Sequence, residues 1–324
     1  MTCMILGSFL GAGFASGKEI ITYFSGFGGA SYVGIIFCAL TFVLLLLFFF
    51  WLSHKVSGLD GLIVTYFSGH GKVIKWLFML AILILVSTMF AGAGSIGEAL
   101  GINKWIAIFL TAIVVFVSNY FGLKSIGGLN AIIVPIMLVI LLIVSFDSYT
   151  RVAIDFEILP IISGITYAFI NMLMIGLFVL EVGKNYTKKE CILTSLICGG
   201  IICILLLICN GGLLSVSDLN LDMPILYLAS LCGGGLYVFS VITIWLAILT
   251  TLFSNIYLLD TFFSNLISQR ALRLIFVIFI SIIISQFGFD IMVRYLYIFI
   301  GFVGIMLVGI VGVREKKKRR IMSE

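Results

Sequence analysis

Residues 7–17 read Gly-Ser-Phe-Leu-Gly-Ala-Gly-Phe-Ala-Ser-Gly, a glycine-rich stretch inside the first apolar segment of the chain. Each glycine costs a helix about 1 kcal/mol relative to alanine, so this stretch disfavours a continuous helix. Backbone groups freed at membrane depth must find partners in protein, water or a ligand. The stretch therefore predicts a broken membrane helix. The break would direct N–H groups that attract an anion, and carbonyls that bind a cation, into the protein interior.

Glycines at such spacings have two other interpretations. Glycines in a membrane helix often permit close packing of a neighbouring helix, and the Gly92, Gly94, Gly97, Gly101 series of the third span favours that interpretation. A dinucleotide-binding fingerprint is excluded for residues 11–17, because their spacing is GxGxxxG and no strand precedes them.

Lys18 and Glu19 follow the glycines directly. Ionisable groups inside a span are costly and usually face a cavity or a partner, so both residues are candidates for the site. The structural alternative is that they border a water-filled vestibule or pair with each other.

The composition sets the class of protein. Of 324 residues, 62% are hydrophobic and 10% are charged, whereas a soluble domain carries about 25% charged residues. Apolar runs of about 20 residues recur along the chain, long enough to span a bilayer as helices. They lack the sustained alternation of a membrane β-barrel. The chain is therefore expected to be an all-α membrane protein, and the first span, which lacks the basic start of a signal peptide, is expected to be kept.

About ten transmembrane helices are predicted, within a single transmembrane domain over residues 1–324. Their approximate bounds are 1–24, 31–53, 73–97, 104–121, 128–146, 159–182, 190–214, 233–260, 271–287 and 290–313. The longest outer connector separates the fifth span from the sixth. Two five-helix repeats (about 1–146 and about 159–313) would thus insert with opposite orientations, as in inverted-repeat transporters, before a basic tail at 314–324.

The basic residues predict the orientation in the membrane. With the N-terminus inside, fifteen lysines and arginines fall on the inner side and three, Lys104, Arg151 and Arg294, fall outside. This positive-inside bias places both termini in the cytoplasm of a bacterial cell (inner) membrane. Six of the fifteen lie between Arg314 and Arg320, a cluster that favours contact with anionic lipid rather than nucleic acid.

Enzymatic activity and bound metal clusters are not expected. His54 and His70 lie in one inner connector, and neither HExxH nor GxSxG occurs. The seven cysteines form no CxxC pair and are expected to be buried thiols. No cofactor is expected, apart from sodium as a coupling ion.

The string Gly11-Ala-Gly-Phe-Ala-Ser-Gly-Lys-Glu-Ile20 resembles the signature of the YkvI-like family of bacterial membrane proteins, in which Gln is more usual than Lys18 before the glutamate. The chain is more distantly similar to the amino acid–polyamine–organocation superfamily and the sodium-coupled leucine transporter fold. That resemblance implies five-plus-five inverted repeats whose first and sixth helices are broken at the midplane.

The same resemblance implies roles for individual residues. Gly7 and Leu10 would offer carbonyls to a sodium ion, while Ala12 and Gly13 would hold a substrate carboxylate through backbone N–H groups. In the eighth span, Ala247-Ile-Leu-Thr250-Thr251 resembles the pattern that completes the sodium site. Paired hydroxyls that bond to their own helical turn are the structural alternative.

The sixth span contributes a mid-span cluster of polar and aromatic residues that suits a gate or a site lining, with interhelical hydrogen bonding as the alternative. The predicted substrate-binding residues are Gly11, Ala12, Gly13, Phe14, Ser16, Tyr167, Phe169 and Asn171.

The sequence thus favours a secondary transporter of a small amino-acid-like solute, driven by sodium and working by alternating access. One alternative keeps the fold and couples transport to protons through Glu19. Another is a membrane ligand sensor of the germination-receptor type, which binds without transporting. The solute and the oligomeric state do not follow from the sequence.

Overall fold

The structure is a computed structural model that describes residues 1–56, 58–67, 69–121, 126–264 and 266–323. The side chains of Cys3, 122–134 and 318–324 lie outside this description. The predictions for Cys3, Lys124 and the last three basic residues of the tail therefore concern side chains outside the described part.

All regular structure in the described ranges is helical. In chain order the helices are α1 (Thr2–Phe9), α2 (Ala12–Ser16), α3 (Lys18–Tyr23), α4 (Ser31–Ser53), α5 (Gly58–Tyr66), α6 (Gly71–Ala99), α7 (Lys104–Phe121), α8 (Ile126–Asp147), α9 (Ile158–Val182), α10 (Lys188–Leu213), α11 (Pro224–Cys232), α12 (Gly234–Phe263), α13 (Arg270–Ser285), α14 (Phe289–Ile291) and α15 (Tyr297–Ser323). Short 3₁₀ turns occupy Ser25–Ala30 and Gly183–Asn185, and a π-helical turn occupies Met292–Leu296.

Seven helical stretches in the described residues are long and apolar enough to cross a membrane. They are Ser25–Ser53, Gly71–Ala99, Lys104–Phe121, Ile158–Asn185, Lys188–Leu213, Gly234–Phe263 and Phe289–Lys317. The other predicted spans are also helical: the broken first span α1–α3, the span α8, and α13 with 16 residues.

The predicted break in the first span is confirmed, and it contains two turns. Helix α1 ends at Phe9, and Gly11 has an extended backbone (ψ −178°) before α2 begins. Gly17 then adopts the left-handed region (φ 81°), which ends α2 and starts α3 in a new direction. A Cβ on Gly17 would also come within 2.8 Å of the Ile225 side chain, so this position requires glycine for two independent reasons.

The predicted break in the sixth span is wrong, because α9 is one continuous helix of 25 residues. Thr166 and Asn171 donate hydrogen bonds to the carbonyls of Ile162 and Tyr167, one turn back, so these polar groups stay within the helix. Gly164 serves packing instead, since a Cβ there would collide with the Gly34 carbonyl of α4. A Cβ on Gly34 would in turn collide with the Pro160 carbonyl of α9, so the two helices touch through their backbones.

The glycines of α6 also serve packing, as the sequence predicted, whereas Gly101 of the same predicted series lies beyond the helix with φ 71° and has nothing within 4 Å of an added Cβ. A Cβ on Gly92 would lie 3.2 Å from the Phe289 ring, and one on Gly97 would lie 2.6 Å from Ala107 of α7. Such small residues let membrane helices approach closely.

Two ends of the bundle can be distinguished by their connectors. We call one the basic end: it includes the residues after α4, α9 and α12, where His54 bonds the Tyr186 carbonyl and Arg270 bonds the Asn119 carbonyl. The opposite end includes 24–30, 148–157 and 214–223.

Candidate functional site

A cavity of about 550 Å³ lies beside the break in the first span. Its walls come from α1, α2, α6, α9 and α12, so one pocket joins elements that are far apart in the chain. The predicted site residues that line it are Gly7, Gly11, Ala12, Gly13, Glu19, Asn171, Thr250 and Thr251.

Thr250 and Thr251 of α12 line the cavity beside the break. Thr250 Oγ1 and Thr251 Oγ1 both donate to the Ala247 carbonyl, at 3.1 and 2.8 Å, which leaves their oxygen lone pairs as acceptors. A Cβ on Gly11 would lie 3.9 Å from Thr251 Oγ1, so α12 and the start of α2 are neighbours here. Leu10 and Ala247, the other two predicted sodium ligands, are buried outside the cavity lining.

Glu19 projects towards the break from α3. Its side chain is 6% exposed, and its Oε2 accepts a hydrogen bond of 2.7 Å from the Tyr167 hydroxyl of α9. The carboxylate fills the space beside Gly13, where a Cβ would collide with it. The left-handed turn at Gly17 produces this contact, because it redirects α3 so that Glu19 returns to Gly13.

Tyr167 is fully buried and does not line the cavity itself. Its ring packs edge-on against Phe9 and Phe24, with centroids 5.9 and 5.3 Å apart, and lies tilted 5.2 Å from Tyr23. These neighbours fix the ring, so the hydroxyl presents a preformed donor to Glu19.

Three other predicted substrate-binding residues lie outside the cavity lining. The Phe14 ring packs against Phe9 at 5.7 Å, and Ser16 Oγ donates to the Gly13 carbonyl at 2.9 Å. Phe169 lies on the side of α9 that meets α15, where its carbonyl would be 3.0 Å from a Cβ on Gly304. Phe14 and Ser16 thus contact the first span beside the break, whereas Phe169 contacts α15.

Lys18 points away from the cavity, towards the opposite end. It is fully buried, and its Nζ lies 2.6 Å from Asp290 Oδ1 and donates to the carbonyls of Leu219 and Leu221. Arg294 donates to the same Asp290 oxygen at 2.9 Å. This network joins α3, α14 and the 214–223 connector on the side of the break that faces the opposite end.

The cavity extends instead towards the basic end, where Leu59 of α5 and Glu181 of α9 line it. Glu181 lies against Gly58, since a Cβ on that glycine would collide with its carboxylate.

Helix α5 is held to α15 by a buried carboxylate. Glu315 Oε1 accepts from the Tyr66 hydroxyl and Oε2 pairs with Lys55 Nζ, both at 2.5 Å. Burial, with the Glu315 carboxylate as the second cause, raises the pKa of the Tyr66 hydroxyl above its usual value.

Several lining residues were not predicted from the sequence. Glu181 carried a usable signal, an ionisable residue at the end of a span. Tyr297 and Met89 carried none, because aromatic and apolar residues fill every span. Tyr297 follows the π-helical turn, whose Val293 carbonyl accepts from the Tyr23 hydroxyl at 3.0 Å.

No protein-family model matches the chain. It is 23% identical to the uncharacterized membrane protein YkvI of Bacillus subtilis, over 97% of this chain and 95% of that protein. It is 25% identical to the uncharacterized protein YyaD of the same organism, over 94% and 93% of the two chains. Similarity to YkvI, predicted from residues 11–20, is thereby confirmed.

Among solved structures, the chain is similar to MhsT in complex with L-phenylalanine. The TM-score is 0.68 at 13% identity, and the match covers 94% of this chain and 87% of MhsT. The predicted fold class, an all-α membrane bundle of the leucine transporter type, is confirmed, apart from the break in the sixth span.

Proposed function

We propose that this protein is a secondary transporter that moves a small amino-acid-like solute across the bacterial cell membrane by alternating access, coupled to sodium. One observation carries the proposal. The cavity is lined at once by both half-helices of the broken span and by the paired hydroxyls of α12, and its lining extends towards the basic end and includes no residue of 24–30, 148–157 or 214–223 at the opposite end.

The cavity suits a small organic solute. Its volume of about 550 Å³ lies within the range of ligand pockets, and its lining is mostly apolar with a few polar groups. Ala12 and Gly13 are the proposed contacts for a carboxylate, through their backbone N–H groups. MhsT, which has the same fold, was solved with L-phenylalanine bound, and this supports a solute of that size here.

The proposed sodium position lies between the break and α12. The hydroxyl oxygens of Thr250 and Thr251, with backbone carbonyls of Gly7, Leu10 and Ala247, make a set of hard oxygen ligands of the kind that small cations prefer. Gly7, Thr250 and Thr251 line the cavity together, which supports a shared position.

The asymmetry of the two ends supports alternating access. The Lys18–Asp290 network lies towards the opposite end, while the cavity reaches Leu59 and Glu181 towards the basic end. With the basic end in the cytoplasm, as the positive-inside rule favours, this conformation faces inwards. The basic tail of α15 would then lie against anionic lipid.

Proton coupling through Glu19 is the second candidate. The specific observation in its favour is a carboxylate that lines the cavity, is 6% exposed and accepts one hydrogen bond from Tyr167. A group so placed can gain or lose a proton when the solute enters or leaves.

Uptake into proteoliposomes tests the proposal. Purified protein should accumulate radiolabelled amino acids from a mixture when sodium is higher outside than inside, and Thr251→Ala should abolish accumulation. Thr261→Ala is the matched control, because Thr261 makes the same bond to its own helical turn at an exposed position of α12.

Three results would redirect the proposal. Sodium-independent uptake that is lost in Glu19→Gln would favour proton coupling. Binding without flux would favour a ligand sensor. Full sodium-driven uptake by Thr251→Ala would remove the sodium site from α12.

A further inference from the structure

We infer that the solute carries an ammonium group and that Glu19 binds it. The inference deepens the proposed function, because it names the chemical class of the solute and the residue that selects it.

Glu19 has one carboxylate oxygen available to a ligand. Tyr167 occupies Oε2, whereas Oε1 lies beside Gly13 at the cavity wall, where none of the described residues donates a hydrogen bond to it. A single neutral donor compensates little of the cost of burying a carboxylate. The site is therefore incomplete until a donor or a positive charge enters the cavity.

The charges around the cavity select for a cation. Among the described residues that line it there are two carboxylates, Glu19 and Glu181, and no lysine, arginine or histidine. Lys18 is close in sequence but pairs with Asp290 towards the opposite end. Since walls of one charge sign concentrate the counter-charge, the cavity attracts positive solutes and repels simple anions.

The Glu19 position suits an ammonium group better than a hard metal cation. Hard cations such as Ca²⁺ gather about six or more oxygen ligands. The three atoms nearest to a Cβ on Gly13 all belong to Glu19, whereas the nearest atom to a Cβ on Gly11 is Thr251 Oγ1, at 3.9 Å. An ammonium group has three donors and is satisfied by three acceptors. Glu19 Oε1 supplies one.

Asn171 offers a second acceptor. It lies one turn beyond Tyr167 on the same face of α9 and lines the cavity. Its Nδ2 donates to the Tyr167 carbonyl at 3.1 Å, so its amide oxygen remains available.

The remaining wall describes the rest of the solute. Ile82, Met89, Ile170 and Met174 line the same cavity. The solute is thus an amine whose carbon skeleton is compact and apolar, with or without a carboxylate.

Three probes separate the contributions of the two charged groups. L-leucine carries both, 3-methylbutylamine carries the ammonium group alone, and 4-methylpentanoate carries the carboxylate alone. A ligand that binds the folded state raises the melting temperature by mass action. In purified full-length protein with sodium present, the first two probes should raise the melting temperature and 4-methylpentanoate should leave it unchanged.

Glu19→Gln should weaken binding of both amine probes by about thirtyfold or more, as for a buried ion pair that loses one partner. Glu98→Gln is the control, because it removes an exposed carboxylate at the end of α6. Glu19→Asp keeps the charge, so it should retain part of the binding and distinguish lost charge from lost folding.

The wild-type protein alone can overturn the inference. It does so if 4-methylpentanoate raises the melting temperature more than 3-methylbutylamine does. Equal binding of the amine probes by wild type and Glu19→Gln also overturns it. Neither result contradicts the transport proposal. That proposal fails separately if proteoliposomes show binding without flux.

Discussion

The Tyr167 hydroxyl of α9 donates a 2.7 Å hydrogen bond to the Glu19 carboxylate of α3, which joins the first span of one half of the chain to the first span of the other. The bond fixes the carboxylate against Gly13. We expect Tyr167→Phe to weaken solute binding about tenfold, because a hydrogen bond to a charged group contributes about 1.5–3 kcal/mol. Solute titrations followed by melting temperature measure the change.

Tyr227→Phe serves as the control, since Tyr227 is exposed on α11. Unchanged affinity in Tyr167→Phe would mean that the aromatic packing around Glu19, rather than the hydroxyl, positions the carboxylate.

Gly13→Ala tests the contact between the break and Glu19. One added methyl group collides with the carboxylate, so Glu19 must leave its position. We expect solute binding and uptake to be lost while the protein still inserts in the membrane. Gly200→Ala in α10 is the control, because nothing lies within 4 Å of an added Cβ there. Normal uptake by Gly13→Ala would contradict the placement of Glu19.

Lys18→Met tests the ion pair towards the opposite end. Removing one partner of a buried pair typically costs 3–5 kcal/mol, and we expect about 3 kcal/mol here because Asp290 keeps Arg294 and is partly exposed. The melting temperature without solute should fall, and adding Asp290→Leu to Lys18→Met should recover part of the loss. Lys104→Met, at an exposed position, should have little effect. A melting temperature unchanged by Lys18→Met would show that the pair does not hold this end together.

Tyr66→Phe tests the attachment of α5 at the basic end. It removes the bond to Glu315, so α5 should separate from α15 more often and trypsin should cleave faster at Lys72 and Lys75. Digestion followed by mass spectrometry gives the rates.

Tyr295→Phe is the matched control, because it removes the same hydroxyl group from an exposed tyrosine outside α5. Equal cleavage rates in the two variants would place the stability of α5 elsewhere.

The raised pKa of Tyr66 gives the same contact a pH dependence. The folded state holds the hydroxyl proton more tightly than the unfolded state, because the pKa of Tyr66 is raised on folding. The contribution of this group to stability is therefore complete below a pH of about 10 and decreases as the pH rises above that value. In the wild type, the melting temperature should fall as the pH rises above that value. The fall should be smaller in Tyr66→Phe.

Much of the fold was predictable from the sequence because membrane spans follow from composition and length. The break at Gly11 was predictable for a related reason: glycine density is a local property of the chain. The continuity of α9 was not predictable from the sequence. The Thr166 hydroxyl and the Asn171 amide bond to carbonyls of their own helix, and resemblance to a fold with two broken helices does not reveal such bonds.

The candidate site was predictable in part. Gly7, Thr250 and Thr251, for which the resemblance implied a shared site, line one cavity, whereas Leu10 and Ala247 lie outside its lining. The side chains of the neighbours Lys18 and Glu19 point in different directions because of the left-handed turn at Gly17. The position of Tyr297 in the cavity wall depends on the π-helical turn Met292–Leu296, which no local sequence pattern predicts. Packing between helices that are distant in the chain determines whether such residues reach the cavity. Local patterns in a single sequence do not predict that packing.

The backbone contact between Gly34 and Gly164 has a mechanical consequence. At this contact no side chain separates the two backbones, so α4 and α9 have nothing to repack there, and sliding of one helix past the other would bring backbone atoms into collision. We expect a conformational change caused by a solute to move α4 and α9 together as one rigid body. The contacts that change would then be those of α6 and α12 across the cavity.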